Sequence, residues 1–536
     1  MKINKFLKGM IELIGIVAIV AIIMINLAYN VTLNNRMSED IVINSNDVIL
    51  ILGYIISVIA IYYVFYKSKN VKLSKKTKNI ILISLFVLYF IMQLLWINVR
   101  SANPNYDQYY MYDTAVKMKD GNADLMGDSY LQMYPQQIST ASFYAVILKL
   151  FNTNNVKVLQ YFNAIANTFT ILGLYLIAKK ISNKENSLNI FAFIIYAFTF
   201  TALPLLSTFI YGDFISLPFA IFAIYYIMKY SGENKIKYLV ASALLMSMSY
   251  FLRMNMLIFI VAITIYLILG LIQFIANISK EKITAKRKIL QSTLKIGFII
   301  IFVLVSIMPT NLYKAFMQNE LGLDKEKAFP TIGFLDIGIN RATRGYGWYA
   351  DIFGSGWKEG TLTKEIYKLD FQNKLAEFKD PKNFIEFYKK KIASMWAECT
   401  FGSVWYNLSF NFGDMSVNEG TATEEQILEY ENVDKEVLKF YNFNKTYEKI
   451  LVLLIFSAVL IFILRNNNIT NEQVLLILIF IGGFLFHILW EAKSRYIIPY
   501  VIILNPIASI GIKETCKCIK NIVKKVTSKN NKKQED

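Results

Sequence analysis

Histidine is nearly missing from this chain: His487 is the only one in 536 residues. That argues against a Ser-His-Asp hydrolase and against any metal cluster built on imidazoles. There is no glycine-rich phosphate loop of the P-loop or dinucleotide-binding kind, so a nucleotide-using enzyme is not expected. Cysteine is scarce too. Cys399, Cys516 and Cys518 cannot build a disulfide framework, and Cys516-x-Cys518 without histidine partners reads as two incidental thiols rather than a zinc site. No Pro/Gly/Ser-rich linker and no internal repeat marks off a soluble domain. Charge is absent from long stretches, and that absence decides the class.

Apolar residues make up 55% of the chain and the mean hydropathy is +0.40. Apolar runs fall near 11–29, 48–66, 79–98, 158–178, 188–207, 210–229, 236–252, 256–275, 289–308, 448–466, 472–489 and 496–513. Each approaches the roughly twenty residues that cross a bilayer, so an all-α polytopic membrane protein with about twelve transmembrane helices is expected. The first run is too long for a signal-peptide core and lacks a small-residue cleavage site, so it reads as a retained anchor. The net charge of +18 sits in short segments beside the runs: Lys67–Lys78, Lys179–Lys184, Lys280–Lys288 and Lys513–Lys533. Clusters placed this way are the positive-inside signal and attract anionic lipid; nucleic acid is not expected as a partner.

With both termini cytoplasmic, twelve spans put every strongly basic connection on that side. The apolar stretch 139–151 is about thirteen residues, too short to span, and counting it would move Lys179, Lys180 and Lys184 outside. It is therefore read as an interfacial or re-entrant helix. The expected organisation is a two-span extension (1–78), a main transmembrane module (79–309) containing a first outer loop (99–157), a large extracytoplasmic loop domain (310–447), C-terminal spans (448–513) and a basic cytoplasmic tail (514–536). Within the large loop, apolar residues at 384, 385, 388, 392, 395 and 396 follow helical spacing, with Lys389, Lys390 and Lys391 on the other side. That pattern suits a helix lying on the membrane surface or one packed on its own loop domain.

With a single histidine in the chain, chemistry must rest on Asp, Glu, Arg, Lys and Tyr. Asp107 and Gln108 follow the run 79–98 directly, in the Pro-containing turn Asn103-Pro104-Asn105-Tyr106. A carboxylate partly desolvated there can act as a general base; a solvated loop aspartate is the plain alternative. Asp213, in the short turn Tyr211-Gly212-Asp213, is either a second acidic site residue or a turn cap. Glu491, Lys493, Arg495 and Tyr496 enter the last span from outside, and Arg253, Arg341 and Arg344 also stand on the side that the positive-inside pattern disfavours. Arginines there fit an anionic ligand such as a lipid phosphate; edge ion pairing and snorkelling are the alternatives. His487 reads as a buried packing residue.

Taken in order, these features resemble the glycosyltransferase C superfamily. They are Asp107-Gln108 in the first outer loop, Tyr134-Pro135 leading into a short helix, Ala178-Lys179-Lys180 closing the next span, and Glu491-x-x-x-Arg495-Tyr496-x-x-Pro499. The nearest branch is the bacterial family 39-like one, related to protein O-mannosyltransferases and aminoarabinose transferases, and the likeness runs over roughly 79–513. The resemblance implies that 79–309 is a catalytic module in a bacterial plasma membrane with its site on the extracytoplasmic face. It implies a polyprenyl-phosphate-linked sugar as donor and a cell-envelope glycan, glycolipid or protein as acceptor. Asp107 would then be the catalytic acidic residue, Asp213 the second acidic position and Arg495-Tyr496 the element near the donor phosphate. Many relatives have two adjacent acidic residues where this chain has Asp107-Gln108. No metal is therefore assigned, and a divalent cation stays an open option. Two other functions fit a dozen spans: a polysaccharide polymerase or ligase relying on Arg341 and Arg344, and a transporter or lipid flippase, which would carry charges at membrane depth.

Overall fold

The computed structural model describes residues 2–33, 40–68, 73–100, 102–121, 125–183, 187–279, 284–342, 345–409, 424–466 and 469–535. The chain is an all-α integral membrane protein, interrupted among the described residues by two small antiparallel hairpins. Helix α1 (Lys2–Ala28) runs into strands β1 (Tyr29–Leu33) and β2 (Ile41–Ser45), with Tyr29 opposite Ser45. Then come α2 (Val48–Ser68), α3 (Lys75–Arg100), α4 (Asp107–Asp120), α5 (Ser129–Met133), α6 (Ile138–Leu150), α7 (Lys157–Ile181), α8 (Ile190–Phe198), α9 (Ala202–Leu205), α10 (Asp213–Glu233), α11 (Ile236–Leu252), α12 (Leu257–Ile278) and α13 (Ala285–Glu320). A loop domain follows, made of α14 (Thr331–Gly338), the hairpin β3 (Arg341–Ala342) and β4 (Gly345–Tyr346), α15 (Asp351–Lys358), α16 (Lys364–Glu377) and α17 (Pro381–Trp396). The chain ends in α18 (Glu424–Arg465), α19 (Asn471–Leu489), α20 (Ile498–Ile502) and α21 (Asn505–Glu535).

A helix satisfies all its interior backbone groups internally, which is why apolar runs of this length become helices in lipid. Among the described residues ten helices are long and apolar enough to cross a membrane. The remaining two expected spans take other forms. Helix α11 has 17 residues. The last span is broken, with 60° between Ser494–Ile502 and Asn505–Cys518. Pro506 contributes to the break: it has no amide hydrogen to donate to the Ile502 carbonyl one turn back, yet fits the first turn of a new helix. The apolar windows of α2, α3 and α13 are only 17–22% buried, whereas those of α18 and α19 are 67% buried. The former line the rim of the bundle and the latter its centre.

The run 188–207 is also interrupted. Helix α8 stops at Phe198 and the chain resumes at α9, leaving the Thr201 amide without a helical partner. The fully buried Glu448 of α18 accepts hydrogen bonds from both the Thr201 amide and its hydroxyl. The first hairpin is bolted to the same helix: Lys449 Nζ donates to the Tyr29 carbonyl at 2.6 Å, and the Leu33 amide donates to the Tyr441 hydroxyl at 2.9 Å.

Two short helices pack into the body of the protein, one of the two placements open to each. In α6, Ser139, Thr140 and Tyr144 are buried, and the helix packs against α4, α7, α11 and α13. In α17, Phe384 and Ile385 stay exposed while Lys391 is completely buried. The lysine grouping 389–391 therefore splits: Lys391 follows Phe387 by one turn and precedes Met395 by one turn, so helical spacing puts it on their face. Its ammonium donates to the carbonyls of Gly338, Ile488 at 2.8 Å and Trp490 at 3.0 Å, closing the ends of α14 and α19.

Candidate functional site

Three helix ends meet beside the loop domain, and short polar contacts hold them there. Tyr106 leads into α4 with φ 45°, a left-handed backbone uncommon outside glycine, and puts Asp107 in the first turn. Gln108 is buried; its amide group donates to Asn105 Oδ1 at 2.9 Å and its carbonyl accepts from the Ile210 amide at 3.0 Å. It thereby ties α4 to the turn before α10. Gly212 ends that turn with φ 83°, and a Cβ there would collide with the Leu252 carbonyl, so only glycine permits the approach of α10 to α11. Helix α6 braces both: Ser139 and Thr140 hydroxyls donate to the Phe251 and Leu252 carbonyls, each at 2.6 Å, and the Gly212 amide donates to the Tyr144 hydroxyl at 3.1 Å. Asp213 thus begins α10 and Arg253 ends α11, side by side.

Arg253 Nε lies 2.9 Å from Asp213 Oδ1, and Arg495 Nε lies 3.5 Å from Oδ2. The Arg495 guanidinium sits 4.0 Å over the Phe209 ring and 4.8 Å over Tyr406, while that of Arg253 sits 4.8 Å over Tyr211. Aromatic faces and a shared carboxylate hold both guanidiniums in place. The cavity they border measures about 810 Å³, and its walls include Asp107, Gln108, Tyr130, Tyr134, Tyr211, Arg253, Glu491, Lys493, Arg495 and Tyr496. A smaller cavity of about 340 Å³ at the opposite end, lined by Tyr230, Lys295 and Asn471 among others, holds no carboxylate.

Asp107 is open to the large cavity but crowded by its walls. Among the described residues no cation lies within ion-pairing distance of it. Loss of hydration raises its pKa above the ordinary carboxylate range; the Lys493, Arg495 and Arg253 charges and a hydrogen bond from Tyr211 act in the opposite direction. Glu491 is raised by the same loss of hydration, opposed by Lys493 and reinforced by Asp107. It accepts from the Tyr496 hydroxyl at 3.3 Å. Burial and the Asp107 charge push the Tyr211 hydroxyl upward, so it stays a donor, and it receives a 2.6 Å hydrogen bond from Gln137. An available base, a neutral hydroxyl and three nearby cations can move a proton and hold an anion in the same space.

The loop domain sets the position of Glu491. Lys391 clamps the carbonyls on either side of the turn after α19, and the Ala492 amide donates to the Gly347 carbonyl at 2.9 Å. Gly338 and Gly347 pack so closely here that a Cβ on Gly338 would strike the Leu489 carbonyl and one on Gly347 the Lys391 side chain. Burial pushes Lys391 down to about 7.

Of the residues singled out in the sequence, Asp107, Gln108, Asp213, Arg253, Glu491, Lys493, Arg495 and Tyr496 come together. Arg341 does not: it is half exposed, pairs with Glu377 at 3.7 Å and stands apart from the cavity wall. Arg344 lies outside the described residues. His487 is buried against Phe486, Tyr496 and Tyr500. Sequence reasoning gave no role to Tyr130, Tyr211, Gln137 or Lys391. Only Lys391 carried a usable signal, its spacing from Phe387 and Met395.

Gln108 turns its oxygen to a backbone amide, Asp213 faces two guanidiniums, and among the described residues no three acidic, cysteine or histidine side chains gather into a cluster. No curated protein matches the chain. A family model described as "conserved hypothetical integral membrane protein" matches residues 3–516, almost the whole length, and the chain belongs to that family.

Proposed function

We propose that this membrane protein transfers a sugar from a polyprenyl phosphate to a hydroxyl-bearing acceptor, with inversion at the anomeric carbon. One observation carries the reading: an unpaired carboxylate, Asp107, shares a cavity at the end of a membrane helix bundle with Lys493, Arg495 and Arg253. Asp107 takes the proton of the acceptor hydroxyl as that oxygen bonds to the anomeric carbon. The bond from that carbon to the phosphate oxygen breaks, and its electron pair leaves with the lipid phosphate. Lys493, Arg495 and Arg253 hold the developing charge, in a setting poor in water where such contacts are strong. Asp213 positions the two arginines, and Gln108 positions the turn that carries Tyr211.

The donor's apolar tail would stay in lipid beside the bundle while its phosphate reaches the helix ends. The site would face away from the cytoplasm, where a lipid-linked sugar is the available activated form. Of the two arginines that a polymerase or ligase would use, Arg341 pairs with Glu377 outside the cavity wall and so lends that reading less support, and Arg344 lies outside the described residues.

The deciding experiment offers the purified full-length protein in lipid nanodiscs a short-chain prenyl-phosphate sugar and the corresponding nucleotide sugar. Consumption of the first and not the second is expected. Arg495→Ala should weaken use of the lipid donor by about 1.5–3 kcal/mol, the worth of a charge-assisted hydrogen bond. Robust transfer from the nucleotide sugar alone would overturn the reading.

A further inference from the structure

The large cavity holds more positive charge than the donor needs. Its walls bear two carboxylates, Asp107 and Glu491, against five cations: Arg253, Lys314, Lys358, Lys493 and Arg495. Arg253, Arg495 and Lys493 stand near Asp107 and are assigned above to the departing phosphate. Lys314 and Lys358 come from other walls. Lys314 is near the loop-domain end of α13, which packs on the Pro135–Gln137 turn, and Lys358 ends α15 of the loop domain. Neither has a hydrogen-bond or ion-pair partner among the described residues. Lys314 is half-buried, where an ammonium with no counter-charge is unfavourable, and the exposed Lys358 adds a like charge to the same cavity wall, so an anion bound there would offset both. On the same wall Phe334 and Trp490 stack with centroids 5.3 Å apart and an interplanar angle of 15°, and Tyr134 and Phe329 adjoin at 6.3 Å. Flat aromatic faces beside cations suit a chain of polyol or sugar units that carries negative charge.

We infer that the acceptor is anionic: a polyol or saccharide chain bearing phosphate or carboxylate groups, held by Lys314 and Lys358 while one of its hydroxyls faces Asp107. This rests on the glycosyl-transfer reading for the reacting hydroxyl, but the anion site is measurable without turnover. The same phosphate chemistry could come from an anionic lipid headgroup beside α13, and the experiment separates the two sources.

Full-length protein in zwitterionic nanodiscs is titrated with a fluorescent glycerol-phosphate hexamer and with an uncharged dextrin hexamer. The charged probe should bind saturably and at least about tenfold more tightly, the worth of one charge-assisted contact. Lys314→Gln/Lys358→Gln should remove that advantage, and Lys358→Gln alone, at an exposed position, should remove part of it without disturbing the fold. Equal affinity for the two probes, or an unchanged advantage in the double variant, overturns the proposal. So does retention of phosphatidylglycerol by the wild type and its loss from the double variant, without hexamer binding, because the lysines would then serve a lipid. Transfer of sugar to a neutral acceptor as readily as to the charged one overturns the anionic acceptor and leaves the glycosyl-transfer reading standing. Hexamer binding as expected, with no use of any prenyl-phosphate sugar, keeps the anion site and removes that reading instead.

Discussion

Asp107 and Asp213 both begin a helix at the same end of the bundle, where the helix dipole favours a carboxylate. Their surroundings differ. Asp213 has one oxygen 2.9 Å from Arg253 and the other 3.5 Å from Arg495. Asp107 opens onto the cavity with those cations farther off, and burial raises its pKa. One acid is occupied in holding two guanidiniums; the other is available to exchange a proton. The difference comes from the chain leading into each helix. Gly212 lets α10 press against the end of α11, which brings Arg253 to Asp213, whereas Tyr106, in its strained conformation, turns Asp107 toward open space.

The sharpest way to break this comparison is to neutralise each acid in turn. Asp107→Asn should lower turnover by roughly 10²–10⁴-fold, the contribution of a positioned base, with donor binding retained. Asp213→Asn should weaken donor binding instead. It should also destabilise the protein by about 3 kcal/mol, because it leaves two buried guanidiniums without their partner. Turnover with thermal unfolding reads both effects, and a common loss in turnover with no change in stability would erase the distinction.

Lys391→Met tests whether the loop domain sets the cavity's other wall. Three carbonyls lose their donor, and a loss of roughly 2–3 kcal/mol in unfolding stability is expected from unsatisfied buried acceptors. The pH dependence has a definite sign. Burial lowers Lys391 from 10.5 to about 7, so between those values the unfolded chain binds a proton that the folded chain has released. Stability should therefore rise as pH climbs through that window, and Lys391→Met should flatten the slope. Unfolding midpoints collected across the range would show it.

Lys493→Gln gives a subtler change. A raised pKa on the base means that activity falls on acidification earlier than for an ordinary carboxylate. Lys493 is the largest charge holding that value down, so its removal should move the acid limb of the rate profile to higher pH. An unmoved limb would mean that Asp107 is not the titrating base. Smallest of all is Arg341→Ala. Its pairing with Glu377 is exposed and long, so both stability and turnover should stay within about 0.5 kcal/mol of wild type.

Much of the fold was legible because lipid enforces a local rule. A predominantly apolar run of about twenty residues must close its own hydrogen bonds, and each of the twelve runs contains helix. What the runs hid were interruptions settled by single residues and their distant partners, such as Pro506 in the last span and the pause at Thr201 that Glu448 fills. The α17 lysines show the same limit. A cluster of three reads as one polar face, yet the middle of the protein claims Lys391 because carbonyls from α14 and α19 converge on it.

Sequence by itself determined the membrane class, the hydrophilic loop domain and the residue types available for chemistry, since composition and periodicity are properties of contiguous chain. It also marked Asp107, Asp213, Arg253, Glu491 and Arg495 as charges at the ends of apolar runs. Only the tertiary structure decided that Asp213 faces two arginines while Asp107 stays open, that Tyr211 and Lys391 belong with them, and that Arg341 does not. The reason is physical. A carboxylate's role depends on which charges and donors lie within a few ångströms, and here those come from helix ends up to several hundred residues apart, brought together by packing that no local pattern encodes.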